Sequence, residues 1–259
     1  MGARQALLDD PIFNGKGGKV ILRYSFKNAA SNPGSVSLVV EDMSRAAGLS
    51  VNGTQINISN LGWHFDHPFG KVDISHALKN GINTVEVELD YDFLTEIEQA
   101  YIVGDFGVCI PNPFEAEIVD KPENISMGSW IGQGYPFYSG SITYKTTLDL
   151  PCVEGRSFIK LNRPSGTLFK IRANGIDIGN ILWQPNELEL TDHLRVGTNL
   201  LEITVVSSRQ NTLGPLHERQ GDDDIGCGPG HFEYEGAVRP EWSFYDYGLL
   251  GGAEIIRRM

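Results

Sequence analysis

Two stretches of this chain share one residue pattern, and the duplication limits the folds open to it. The later copy opens with Leu168-Phe-Lys-Ile-Arg-Ala173, then Asn174-Gly175, Ile176-Asp-Ile-Gly179 and Trp183-Gln-Pro185. It continues through Leu188-Glu-Leu190, His193-Leu194 and Gly197-Thr-Asn199, and closes on an apolar run to Val206. The earlier copy runs from Leu49 to Leu89. Asn52-Gly53 matches Asn174-Gly175, Trp63 matches Trp183, and Leu78 matches Leu194. Gly81-Ile-Asn83 matches Gly197-Thr-Asn199, and Glu86 matches Glu202. The order is kept while the loops differ by a few residues.

Each piece has a physical reading. Asn-Gly between apolar runs predicts a two-residue hairpin, because a type I′ turn needs positive φ at both central residues. Leu200, Ile203 and Val205 lie in a run rich in β-branched residues, which predicts a half-buried strand. Each tryptophan, recurring at one place in the repeat, reads as a core anchor. Two copies are too few for a solenoid and predict two related β-sandwich domains.

The rest of the chain fits that frame. Further strands are expected at Val20–Phe26, Ser37–Glu41, Ala100–Val108 (with Gly104 as a bulge), Ser141–Leu150, Ser157–Leu161 and Ala253–Ile256, with a helical turn over Thr95–Ala100. With 30 glycines and 13 prolines the chain is rich in turn residues, and no long amphipathic helix is visible. Residues 1–18 read as a leading segment or linker. The first domain is expected over 19–110 and the second over 111–259, divided near Ile110-Pro-Asn-Pro113.

Composition excludes several functions. The formal net charge of −12 opposes a nucleic-acid or anionic-membrane surface, since both need clustered Lys and Arg. It suits neutral ligands such as sugars. The N-terminus has no apolar signal core, and no apolar run reaches membrane-spanning length, so neither a signal peptide nor a transmembrane segment is expected. Cys109, Cys152 and Cys227 have no C-x-x-C spacing, which leaves buried free thiols as the plain reading.

No serine-nucleophile elbow, H-E-x-x-H or dinucleotide fingerprint is present, and Gly15-Lys-Gly-Gly-Lys19 lacks the full phosphate-loop pattern. Carboxylates such as Glu41, Glu96, Glu98, Asp105, Glu115 and Glu117 have no spacing that selects a catalytic pair. His64-Phe-Asp66-His67 carries three potential metal ligands, but strand alternation disperses them. Asp222–Asp224 could hold calcium through oxygens, without the spacing of an EF-hand. No catalytic residue, metal ligand or required cofactor is assigned.

Aromatics carry the most information. Trp130, Tyr135, Phe137 and Tyr138 are interleaved with Gly128, Gly132, Gly134 and Gly140. Amphipathic rings offer an apolar face to the C–H surface of a sugar and a polar edge to its hydroxyls. The alternative is that these rings close the end of a sandwich or face a neighbouring domain.

The pattern Val-Asn-Gly, Trp, Asp-Ile, Leu, Gly-x-Asn and apolar strand resembles the galactose-binding-like jelly roll, the fold of sugar-binding domains in family 2 glycoside hydrolases. Tyr101–Val108, Gly134–Gly140, Trp183-Gln-Pro185 and Asn211–His217 resemble the C-terminal accessory region of large bacterial glycoside hydrolases, including α-L-rhamnosidases and β-galactosidases. The resemblance implies an all-β fold of two tandem jelly-roll β-sandwiches. It also implies a catalytic domain elsewhere in a longer parent chain, because such enzymes carry their catalytic residues in a separate (β/α) barrel and this chain shows no strand–helix alternation.

The function expected is therefore a non-catalytic, carbohydrate-binding or domain-bracing region. The alternatives are a purely structural module and a small stand-alone glycan hydrolase or lyase. Trp130, Tyr135 and Tyr138 are the expected stacking groups, with Asn211 and His217 as polar partners. The strand after Gly134 and the strand ending near Ser208 are expected to be neighbours, which would bring these loops together.

Overall fold

The computed structural model describes residues 18–91, 95, 97, 99–214, 216–217 and 241–259. They divide into two compact units, one reaching Lys121 and one starting at Pro122. The fold is all-β, and no helix among the described residues is long and apolar enough to cross a membrane.

In the first unit the strands are β1 (Gly18–Asn28), β2 (Val36–Glu41), β3 (Ala46–Val51), β4 (Thr54–Gln55), β5 (Gly62–His64), β6 (Asp66–Asp73), β7 (Gly81–Tyr91), β8 (Ala100–Gly104), β9 (Gly107–Asn112) and β10 (Glu115–Val119). They form a six-stranded sheet in the order β4-β3-β7-β1-β10-β9 and a four-stranded sheet in the order β5-β6-β2-β8. Apolar residues at alternate positions explain the layering. Leu49, Val51, Val85 and Val87 from the larger sheet meet Val36, Leu38, Val40 and Val72 from the smaller one in a single core.

The second unit contains β11 (Ser141–Leu150), β12 (Arg156–Leu161), β13 (Pro164–Ser165), β14 (Leu168–Ala173), β15 (Ile176–Ile181), β16 (Glu187–Glu189), β17 (Gly197–Val206), a one-turn helix α1 (Gln210–Leu213), β18 (Gly248–Leu249) and β19 (Ala253–Arg258). Sheets β11-β17-β14-β15 and β16-β12-β19 enclose Ile159, Leu161, Phe169, Ile171, Leu201, Ile203 and Val205. The strand parity differs by one residue from the expected Leu200. Leu201 points inward, whereas Leu200 is 40 % exposed. The run begins at Gly197 and takes its register from Asn199, whose amide is buried, so the next inward position is Leu201.

The two copies make the same hydrogen bonds. Both Asn-Gly pairs have positive φ at both residues, 52° and 81° at Asn52-Gly53 and 52° and 84° at Asn174-Gly175. Asn52 Nδ2 donates to the Ala77 carbonyl and to Asn83 Oδ1, and Asn174 Nδ2 donates to the His193 carbonyl and to Asn199 Oδ1, all at 2.9 Å. Asn83 Oδ1 also accepts the Lys79 amide, as Asn199 Oδ1 accepts the Arg195 amide. Asn83 Nδ2 donates to the Lys79 and Gly81 carbonyls, as Asn199 Nδ2 donates to those of Arg195 and Gly197. The deeper asparagine of each pair is 0 % exposed. Its amide makes four hydrogen bonds, so its burial leaves no orphan.

The matched glutamates also have matched partners. Glu86 takes Arg23 from the facing strand at 2.6 Å, and Glu202 takes Lys145 at 2.8 Å and Arg172 at 3.1 Å. The hydrogen bond from Lys145 leads the causes that hold the Glu202 carboxyl below its ordinary range.

Three expectations are corrected. The boundary expected at 110/111 lies instead between Lys121 and Pro122. The reason is that β10 pairs antiparallel with β9 and parallel with β1, which binds residues up to Val119 into the first unit. The single strand expected over Ala100–Val108 is two strands in different sheets. At Gly104 a Cβ would stand 2.6 Å from the Ser35 carbonyl oxygen, so glycine permits the crossing. Finally, Cys109 is exposed on an outward position of β9 and Cys152 is half-buried, so neither is the buried thiol expected. Cys227 and the Asp222–Asp224 candidate lie outside the described residues, as does part of the helical turn expected over Thr95–Ala100.

Asn199→Ala is expected to destabilise the second unit by about 2–4 kcal/mol, since it orphans buried carbonyls and an amide at about 1–3 kcal/mol each. Asn199→Asp, which cannot donate to Arg195 and Gly197, should not restore it. Urea unfolding checks both.

Glu189 gives a pH test. A forked hydrogen bond from Arg156, then one from the Thr191 hydroxyl, lowers its pKa from 4.5 to about 2. A depressed carboxylate stabilises the fold above its unfolded pKa and loses that contribution as pH falls through the folded value. Glu189→Gln should therefore be less stable than the parent at pH 7, and the gap should close between pH 4.5 and about 2. A gap independent of pH would contradict this.

Candidate functional site

Three segments of the second unit converge at one end of the sandwich. Strand β11 pairs with β17 from Ser141↔Val206 onward, and the Ser207 amide donates to the Gly140 carbonyl at 2.9 Å. That pairing brings the glycine-rich aromatic loop beside α1. Thr212 Oγ1 donates to the Phe137 carbonyl at 2.6 Å. The third segment, Trp242–Tyr247, joins through Asn211 and Ser208. Asn211 Nδ2 donates to the Tyr245 carbonyl at 2.8 Å, Asn211 Oδ1 accepts the Tyr245 amide at 2.9 Å, and the hydroxyls of Ser208 and Tyr247 share a hydrogen bond at 2.5 Å.

The five expected site residues are thus gathered, but into different roles. Trp130 is 1 % exposed and belongs to the core. Its Nε1–H donates to the Tyr144 hydroxyl at 2.8 Å, and its amide donates to the Tyr247 carbonyl at 3.0 Å. Burial raises the Tyr144 phenol above its ordinary pKa. Trp130 therefore cannot stack on a ligand in this structure. An indole fits the interior here because a phenol accepts its one donor.

Asn211 is likewise 2 % exposed, with both ends of its amide spent on Tyr245. It positions that tyrosine instead of meeting a ligand. Tyr135 is half-buried against the core, and its hydroxyl donates to the Pro122 carbonyl at 3.3 Å. Tyr138 stays at the surface, 37 % exposed and edge-on to Tyr135 at 5.5 Å. The His217 ring lies 4.4 Å from that of Trp242, and its Nδ1 is 3.3 Å from the Glu241 carbonyl.

Trp242 and Phe244, which the sequence did not single out as site residues, join Phe137 at this end of the unit. Phe137 meets Trp242 and Phe244 edge-on, at 5.0 Å each, and Trp242 stacks with Phe244 at 5.8 Å and 13°. Trp242 Nε1–H is buried without a hydrogen-bond partner among the described residues. Tyr245, held by Asn211, is 43 % exposed. The available signal was the density of rings in Trp242-Ser-Phe-Tyr-Asp-Tyr247. Nothing local in that run shows that it meets Phe137.

The repeated tryptophans are not core anchors. Trp63 is 57 % exposed and Trp183 is 75 % exposed. The first core is built from aliphatic residues and Met43, and the second from aliphatic residues with Trp130, Phe169 and Tyr247; neither includes Trp63 or Trp183. No cluster of three His, Cys, Asp or Glu that could hold a metal occurs among the described residues.

No protein-family model matches the chain, and no curated protein sequence matches it significantly. Among solved structures, the chain is similar to a rhamnosidase from Novosphingobium sp. PP1Y, with 14% identity and a TM-score of 0.35 over 97% of this chain and 26% of that one. It is also similar to the Streptomyces avermitilis α-L-rhamnosidase complexed with L-rhamnose, with 14% identity and a TM-score of 0.32 over 73% of this chain and 22% of that one. A third is the Pleurotus ostreatus lectin in its apo form, with 13% identity and a TM-score of 0.23 over 78% of this chain and 72% of that one. The chain spans about a quarter of the length of the rhamnosidase chains it matches.

Proposed function

We propose that this chain is a non-catalytic, carbohydrate-binding β-sandwich region of a longer glycoside hydrolase, with one contact surface at the aromatic end of the second unit. The observation that carries the reading is the convergence of three loops on one ring cluster. Tyr138, packed against Trp130 and Tyr135, and Tyr245, held by Asn211, are both partly exposed at this end. Exposed phenol rings offer an apolar face with polar edges, which suits a sugar ring. His217 at the same surface adds a ring nitrogen. The acidic character of the chain favours a neutral sugar over an anionic one. The parent hydrolase is part of the proposal and rests on the sequence resemblance.

A bracing role is the second reading. It is favoured by the burial of Trp130 and Asn211, which commits two of the five expected site residues to holding the end of the sandwich together. The two readings differ in what the exposed rings do.

Tyr138→Ala and Tyr245→Ala are expected to fold as the parent does and to lose about tenfold in affinity each, which is about 1.4 kcal/mol. A glycan array followed by titration of the strongest neutral glycan checks this. Full affinity in both folded variants would favour bracing.

A further inference from the structure

Trp63 and Trp183 occupy the same connection in the two units. Trp63 lies in β5, the short opposite-sheet strand between the first Asn-Gly hairpin and β6, and Trp183 lies in the turn between the second hairpin and β16, also of the opposite sheet. Neither contributes to a core, and they are 57 % and 75 % exposed. Leaving one large apolar side chain in water forgoes about 1.5–3 kcal/mol of burial. Stability therefore gives no reason for a tryptophan at either place, let alone at both.

Both indoles are held on short, tied backbone. Trp63 sits in β5, which pairs with β6 through Gly62↔Lys71 and Trp63↔Gly70, and its ring packs 5.0 Å from that of His67. The Trp183 carbonyl accepts the Asn186 amide at 3.1 Å, and the Asn186 carbonyl accepts the Leu161 amide at 2.9 Å, which fastens the turn to β12. A ring carried on backbone tied in this way loses less freedom on binding than one on an untied loop. Hydrogen-bonding side chains stand next to both rings in sequence, His64 and Asp66 near the first and Gln184 and Asn186 near the second.

We propose that Trp63 and Trp183 are a duplicated pair of sugar platforms, one on each unit, each taking the apolar face of one neutral pyranose ring. The inference rests on the carbohydrate-binding reading above but assigns different residues. The repeat would then encode a binding position as well as a fold: the asparagine pair sets the hairpin, and the connection that follows presents the indole. The chain's net charge of −12 selects against uronates and sulfated sugars at both positions.

Affinity electrophoresis of the full chain through gels carrying galactomannan or arabinogalactan, with polygalacturonate as the anionic control, tests this. The parent should be retarded by a neutral polymer and not by polygalacturonate. Trp63→Ala and Trp183→Ala should each weaken retardation about tenfold, and the double variant should weaken it further. Thermal unfolding should be unchanged, because neither ring supports a core. If the double variant is retarded like the parent while Tyr138→Ala/Tyr245→Ala is not, the platforms are wrong and the carbohydrate reading stands. If no neutral polymer retards the parent, or polygalacturonate retards it equally, the inference is overturned. In the first of these cases the carbohydrate reading falls with it.

Discussion

Each unit depends on one pair of asparagines. An asparagine side chain both donates and accepts, so Asn52 can hold the Ala77 carbonyl and Asn83 Oδ1 with one nitrogen while its own oxygen accepts the Thr84 amide. Asn174 does the same with His193, Asn199 and the Leu200 amide. Aspartate could not donate. Glutamine would be a methylene too long for a turn whose own residue must sit at positive φ. The clasp ties the hairpin tip to the start of one of the two longest strands of the sheet, and the register of β3 on β7 and of β14 on β17 follows from it. Inward and outward faces are then fixed along both strands, since a slip of one residue would reverse them. The Glu86 and Glu202 ion pairs sit on the outward face that this register creates.

Much of this was legible in the residues. Asn-Gly between apolar runs determines its turn through local sterics, and period-two alternation marks strands such as β1 without reference to the rest of the chain. The duplication of Asn-Gly with Gly-x-Asn was legible as a repeat, whereas the clasp between the asparagines was not. The convergence of the Gly134 and Asn211 segments was also readable, from two strands that had to be neighbours.

What was not legible depended on distant partners. The parallel pairing of β10 with β1 has no local signature, so the prolines at Pro111 and Pro113 looked like a boundary. Trp130 and Trp183 are the same residue type in similar glycine- and proline-containing runs. One is buried because Tyr144 supplies an acceptor inside the sandwich, and the other is exposed because its turn is fastened on the outside of β12. Asn211 looked like a ligand contact, but its amide completes the backbone of Tyr245. In each case the residue type was right for the chemistry assigned, and a long-range contact decided whether the group faced solvent.

The buried polar network and the exposed rings are complementary features of the account. Satisfied asparagines make rigid frames, and rigid frames can carry indoles and phenols in water without being stabilised by them. The most direct test is the indole region of a ¹⁵N–¹H correlation spectrum of the labelled chain, titrated with arabinogalactan oligosaccharides. The chain has four tryptophans, so four Nε1–H signals are expected. The account predicts that the Trp63 and Trp183 signals shift with saturation while that of Trp130 stays fixed. Stationary Trp63 and Trp183 signals, or a shift confined to Trp130, would contradict it.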